Sequence, residues 1–144
     1  MISADGSYTV QSADPDPYQA VRDEMAGLRH QVIGVRGCVI AGVDGLLILN
    51  EPTIGVEPHD VAALAAGAYG LSRTTGGVLG QGSFSEVTIR SQNGYLAVYA
   101  VGELALLAVI GDSGSNIARL HLEARPVTQR LADMLTIDAS HPFG

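Results

Sequence analysis

Gly111-Asp112-Ser113-Gly114 is the stretch whose residue types come nearest to covalent chemistry, a serine beside an aspartate between glycines, the setting of a nucleophile in serine hydrolases. That chemistry needs a histidine base within hydrogen-bond reach and a carboxylate to orient it. Here the pattern falls between a predicted strand and a predicted helix, where Gly, Asp and Ser are the ordinary turn and capping residues, so it reads as a loop. His30, His59, His121 and His141 are scattered, with no two at the spacing of paired ligands on one helical face. His121-Leu122-Glu123 lacks a second histidine, and no metal site or cofactor is expected. Glu57, His59 and Asp60 gather where a helix should begin, and acidic groups there suit the positive end of its dipole. Gly76, Gly77, Gly80 and Gly82 follow a helix and precede a strand, the wrong context for a dinucleotide loop, and read as a helix stop. Cys38 lies in an apolar run and is expected to be a buried, inert thiol. Arg73 and Arg90 are expected to face solvent and are given no catalytic role.

Composition narrows the remaining classes. The 144 residues suit one domain, and 47% apolar content supplies a core. One cysteine cannot make an internal disulfide or a cysteine-based zinc finger. All eight basic residues are arginine, which excludes the lysine of a phosphate-binding loop, and a net charge of −7 opposes a nucleic-acid backbone. No uninterrupted apolar run is long enough to span a bilayer, and the first eighteen residues carry no basic, apolar leader. A cytoplasmic protein is expected, with no membrane and no nucleic acid among its partners.

The elements that must position these residues follow from periodicity. Residues 1–16 are acidic and aperiodic and are expected to form a disordered tail. Asp16 and Pro17 read as a helix cap and first residue, followed by Tyr18, Val21, Met25, Leu28 and Val32 on one face, with Gly34 as the stop. GCVIAGV and LLIL flank Asp44-Gly45 as a hairpin. Pro58 opens a second helix running to Gly76 or Leu79. Phe84 to Arg90, Tyr95 to Val101 and Leu104 to Ile110 form a three-stranded meander turned by Asn93-Gly94 and Gly102-Glu103. A last helix carries Ile117, Leu120, Ala124, Leu131 and Leu135, and Pro126 is expected to kink or divide it. The domain is expected over 17–136, with 137–144 as a second disordered tail. The short links make the sheet antiparallel, and strands apolar on both faces require cover on both sides. An α+β sandwich follows: five strands between three helices, in the order α-β-β-α-β-β-β-α.

The second helix lacks a polar face over three turns. Val61, Leu64, Ala65, Ala68 and Leu71 form one stripe, Ala62, Ala66, Tyr69 and Arg73 another, and Ala63, Gly67, Gly70 and Thr74 a third. A helix packed on one sheet needs a single apolar stripe, so the outer face of this one needs a partner. Gly67 and Gly70 each cost about 1 kcal/mol of helix propensity, and the Ala63/Gly67 and Ala66/Gly70 spacings clear a path for a second backbone. Self-association about a two-fold axis is the reading adopted; an alanine-rich helix of ordinary composition is the plain alternative.

In this order the stretches GCVIAGVDGLLI, EPHDVAALAAGAYGLSRTTGG, SEVTIRSQNGYLAVYAVGELALLAVIGD and IARLHLEARPVTQRLADML resemble the roadblock (dynein light chain) family, in particular its bacterial MglB-like branch, over about residues 18 to 135. Arginine without lysine and abundant alanine also resemble actinobacterial proteins. The resemblance implies a roadblock/profilin-like fold and a homodimer joined edge to edge through the third strand, with the second helices packed together. It implies an interface of Ala63, Ala66, Gly67, Tyr69, Gly70, Arg73 and Thr74 from the helix and Phe84, Glu86, Thr88 and Arg90 from the strand, which carries no proline or lysine guard. It also implies a Ras-like small GTPase as partner, regulated through the GTPase's own active-site residues, so that no residue of this chain is catalytic. The alternative class is a small-molecule-sensing profilin-like or PAS-like domain, which should show polar residues inside the sheet. A hydrolase built on Asp112 and Ser113 is the third reading.

Overall fold

The computed structural model describes residue 16, residues 18–51 and residues 55–140. The expectations for residues 1–15, Pro17 and residues 141–144 lie outside the described residues.

Helix α1, Gln19–Gln31, buries Val21, Met25 and Leu28, the periodic residues of its sequence. Its cap position is Tyr18 rather than Asp16; Asp16 acts two residues earlier, its Oδ1 accepting the Tyr18 N–H at 2.9 Å. The helix ends before Gly34, where Val32 turns extended and donates its N–H to the Leu28 carbonyl. Gly34 has φ +91° and serves the turn into the sheet; a side chain there would strike Ser115 and Asp112.

The strands are β1 (Val35–Gly42), β2 (Leu47–Asn50), β3 (Glu86–Ser91), β4 (Gly94–Val101) and β5 (Ala105–Asp112). They form one antiparallel sheet in the order β2-β1-β5-β4-β3, which leaves β2 and β3 at the edges. Side chains alternate between two cores, as a period of two requires. Tyr95, Ala97, Tyr99 and Val101 of β4 join Cys38, Leu107 and Val109 under α1 and the last helix, α3 (Ile117–Ser140). Val98 joins Val39, Ala41, Leu106 and Ala108 under α2 (Pro58–Val78). Two helices on one face and one on the other explain why the inner strands are apolar on both sides.

The turns differ in detail from their sequence signals. Ser91 pairs with Gly94, so the tight loop is Gln92-Asn93 and Gly94 already belongs to β4. Gly94 is required by close approach, since a Cβ would lie 2.5 Å from the Gly111 carbonyl oxygen. Gly102, at φ +64°, starts a loop that includes Leu104, which leaves the strand and stands 77% exposed. In the first hairpin Gly45 takes φ +92° and Asp44 Oδ1 accepts the Leu46 N–H, so β2 starts at Leu47. Pro126 does not divide α3, which stays α-helical to Ser140, past the expected domain end at 136. Both Pro126 and Leu122, whose carbonyl loses its i+4 donor, face solvent, so water can satisfy that oxygen.

Candidate interaction surface

Helix α2 starts on Glu57, whose side chain accepts the His59 N–H at 3.2 Å, with Pro58 in the first turn and Asp60 beside it. Its sheet-facing side is Val61, Ala62 and Ala65, with Ala68 and Tyr69 partly covered. The stripe expected from sequence therefore splits, because Leu64 and Leu71 point away from Val61, Ala65 and Ala68. Leu64 is 62%, Leu71 73% and Val78 79% exposed. With Gly67 and Thr74 they recur at intervals of three and four residues, a heptad seam facing outward. A Cβ added at Gly67 or Gly70 would touch nothing within 4 Å among the described residues, so their packing does not require either glycine.

Strand β3 borders this seam. Val87 packs in the core under α2, and Ile89 on the same face is 45% exposed. Glu86, Thr88 and Arg90 alternate to the α3 face. Glu86 is anchored there, its Oε2 3.3 Å from His121 Nδ1 and its Oε1 3.9 Å from an Arg125 nitrogen. His121 Nδ1 also lies 2.6 Å from the Tyr99 hydroxyl. Burial, reinforced by the Glu86 charge, pushes the Tyr99 phenol well above the usual tyrosine range, so it remains a neutral hydroxyl. β3 has neither bulge nor proline nor lysine, and among the described residues its outer backbone groups meet no other strand.

The expected interface residues thus fall into three groups. Ala63, Gly67, Gly70, Arg73 and Thr74 are exposed on α2, while Ala66 is half-buried beside Gly45 of the first hairpin. Tyr69 and Phe84 pack edge to face at 5.3 Å and line the core, so their rings are committed within the chain. Glu86, Thr88 and Arg90 lie on the opposite sheet face from the helix seam, and the two sets approach each other only at the β3 edge. Leu64, Leu71, Val78 and Ile89 are absent from the interface expected from sequence; the signal for the three helix residues is the three-and-four spacing within a helix apolar all round, and that for Ile89 is its alternation with Val87 on β3.

Between α2 and this edge runs an open groove of about 670 Å³, lined by Val56, Leu64, Ile89, Leu96 and Ile110 with Arg36 at its margin. One helix about 10 Å across leaves part of a five-stranded face uncovered, since strands lie roughly 4.8 Å apart. No polar or charged side chain is buried in the cores of the described residues. In the Gly-Asp-Ser-Gly loop Asp112 Oδ1 accepts the Gly114 N–H at 2.9 Å and Ser113 is exposed; just beyond the motif Ser115 bonds Tyr95 at 2.7 Å. His121, next along the chain, is held by Tyr99 and Glu86. Cys38 is fully buried, and desolvation pushes its thiol up to about 12. Among the described residues no three His, Cys, Asp or Glu side chains gather as a metal site, and no helix is long and apolar enough to cross a membrane.

A family model for the Roadblock/LC7 domain matches residues 22–111. The Roadblock/LC7 domain from Streptomyces avermitilis superposes with a TM-score of 0.73 at 27% identity, covering 80% of this chain and 97% of that one. MglB of Myxococcus xanthus shares the fold at 16% identity, with a TM-score of 0.76 and coverage of 84% and 98%. An uncharacterized protein of Methanocaldococcus jannaschii is 25% identical over 101 residues, 70% of this chain and 88% of its own length.

Proposed function

The chain belongs to the Roadblock/LC7 family, and from that premise we propose that it is a non-catalytic, homodimeric regulator or scaffold for a Ras-like small GTPase. The observation that carries this reading is the outward seam of Leu64, Gly67, Leu71, Thr74 and Val78, continuous with the unguarded β3 edge. A seam of this spacing suits a second helix, and the edge suits a second strand. A two-fold axis perpendicular to the sheet at β3 brings two α2 helices alongside each other on one face and covers the Leu64–Ile89 groove. Closed two-fold symmetry requires self-complementary surfaces, which a seam and an edge on one chain supply together.

The GTPase assignment rests on the family resemblance. In this reading the chain stabilises an arrangement of the GTPase's own catalytic loops and inserts no arginine. Purified protein immobilised as bait should retain a Ras-like GTPase from native lysate, identified by mass spectrometry, in a nucleotide-dependent manner. Substituting each exposed arginine in turn should leave any stimulated hydrolysis rate per bound complex unchanged. Absence of any GTPase with both GTP and GDP would remove the partner, and abolition of stimulation by one arginine without loss of binding would remove the indirect mechanism.

A further inference from the structure

The backbone ladder of β3 fixes which of its residues can pair outward. The Ala100 N–H donates to the Ser85 carbonyl at 3.1 Å, and Ser91 and Gly94 close the two-residue loop. In an antiparallel ladder bonded pairs alternate, so residues 85, 87, 89 and 91 turn their N–H and C=O groups toward β4. Those of Glu86, Thr88 and Arg90 point out of the sheet.

Resting on the homodimer reading above, we propose that two copies join through β3 in one register, with Thr88 opposite Thr88 of the second copy and Glu86 opposite its Arg90. An antiparallel two-fold pairing preserves the faces of the sheet, so each residue must meet one from its own face. The registers open to β3 are therefore centred on Val87, Thr88 or Ile89. Centring on Thr88 gives all three outward residues a partner within the strand and makes about six backbone hydrogen bonds, against about four for the neighbouring registers. It also sets Val87 against Ile89 on the α2 face, extending the apolar seam across the axis.

Charge selects the same register. Symmetry gives each dimer a pair of Glu86–Arg90 contacts directly across the strands, the favourable arrangement for opposite charges. Arg90 is exposed and, like Arg36 and Arg73, has no ion-pair partner among the described residues, whereas the other five arginines have one; of the three, Arg90 alone lies on β3. Glu86 is held on the correct face by His121 and Arg125, which makes these positioning residues for the contact. Its carboxylate retains acceptor capacity for a further donor.

Cysteine substitution reads the register directly. Opposed Cα atoms in a bonded antiparallel pair lie about 5.5 Å apart, within disulfide range, whereas residues offset by two positions are separated by about 8 Å. Mild oxidation of Thr88→Cys should therefore give a covalent dimer, and Ile89→Cys or Val87→Cys should give none at the same rate. Arg90→Glu should weaken dimerisation by about tenfold or more, and Arg90→Lys should restore it to within about threefold. Cross-linking through Ile89→Cys or Val87→Cys in place of Thr88→Cys, or an unchanged dissociation constant for Arg90→Glu, overturns the register while a dimer seen by sedimentation stands. A monomeric wild-type chain overturns the homodimer itself and the register with it.

Discussion

At the scale of single residues, Asp112 and His121, two of the side chains that might have carried chemistry, are engaged in holding the chain together. Asp112 folds into its own turn, and His121 links Tyr99 of β4 to Glu86 of the edge strand, while Ser113 stands exposed and its neighbour Ser115 bonds Tyr95. His121→Ala leaves the hydroxyl of the buried Tyr99 without that bond and should cost roughly 1–3 kcal/mol of stability by urea denaturation. Cys38 gives a pH-dependent prediction. Its thiol is neutral when folded and is pushed up from 9.0 to about 12, so above pH 9 the unfolded chain releases a proton that the folded chain keeps. Its contribution is therefore present below pH 9 and is lost as pH rises toward 12. The urea midpoint should fall across that window, and less steeply in Cys38→Val. Neither His121–Tyr99 nor Ser115–Tyr95 was legible in the sequence, because residues about twenty apart meet only after the helix docks on the sheet.

At the scale of elements, periodicity and turn chemistry identified all eight, and the misreadings have physical reasons. Alanines on every side of α2 made its faces equivalent by composition, so only the sheet shows that Leu64 and Leu71 point outward with Gly67, Thr74 and Val78. Asn93-Gly94 looked like a turn pair, but its glycine is needed where β4 passes close to Gly111. Pro126 read as a break, yet it lies on the wet side of α3, where the lost hydrogen bond is least costly. Pro126→Ala should accordingly stabilise the fold by about 1 kcal/mol or more, measured by thermal or urea melting. Leu71→Glu should leave the folded chain intact while weakening self-association by roughly 3 kcal/mol or more. The leucine is mostly exposed in one chain and would be buried twice across a two-fold axis, at about 1.5–3 kcal/mol each.

For the whole molecule, one sheet separates two unequal faces. The α1/α3 face carries the larger closed core, packed between two helices and the sheet, and the arginines of those two helices are ion-paired. The α2 face is left incomplete, with a bare seam, an open edge and a groove running between them. That asymmetry, together with membership of the Roadblock/LC7 family, underlies the regulatory reading. Sedimentation equilibrium of the wild-type chain at micromolar concentration tests it most directly. The expected result is a species of twice the 14.9 kDa chain mass that Leu71→Glu converts to a folded monomer. A wild-type chain that sediments at the single-chain mass across that range would contradict it.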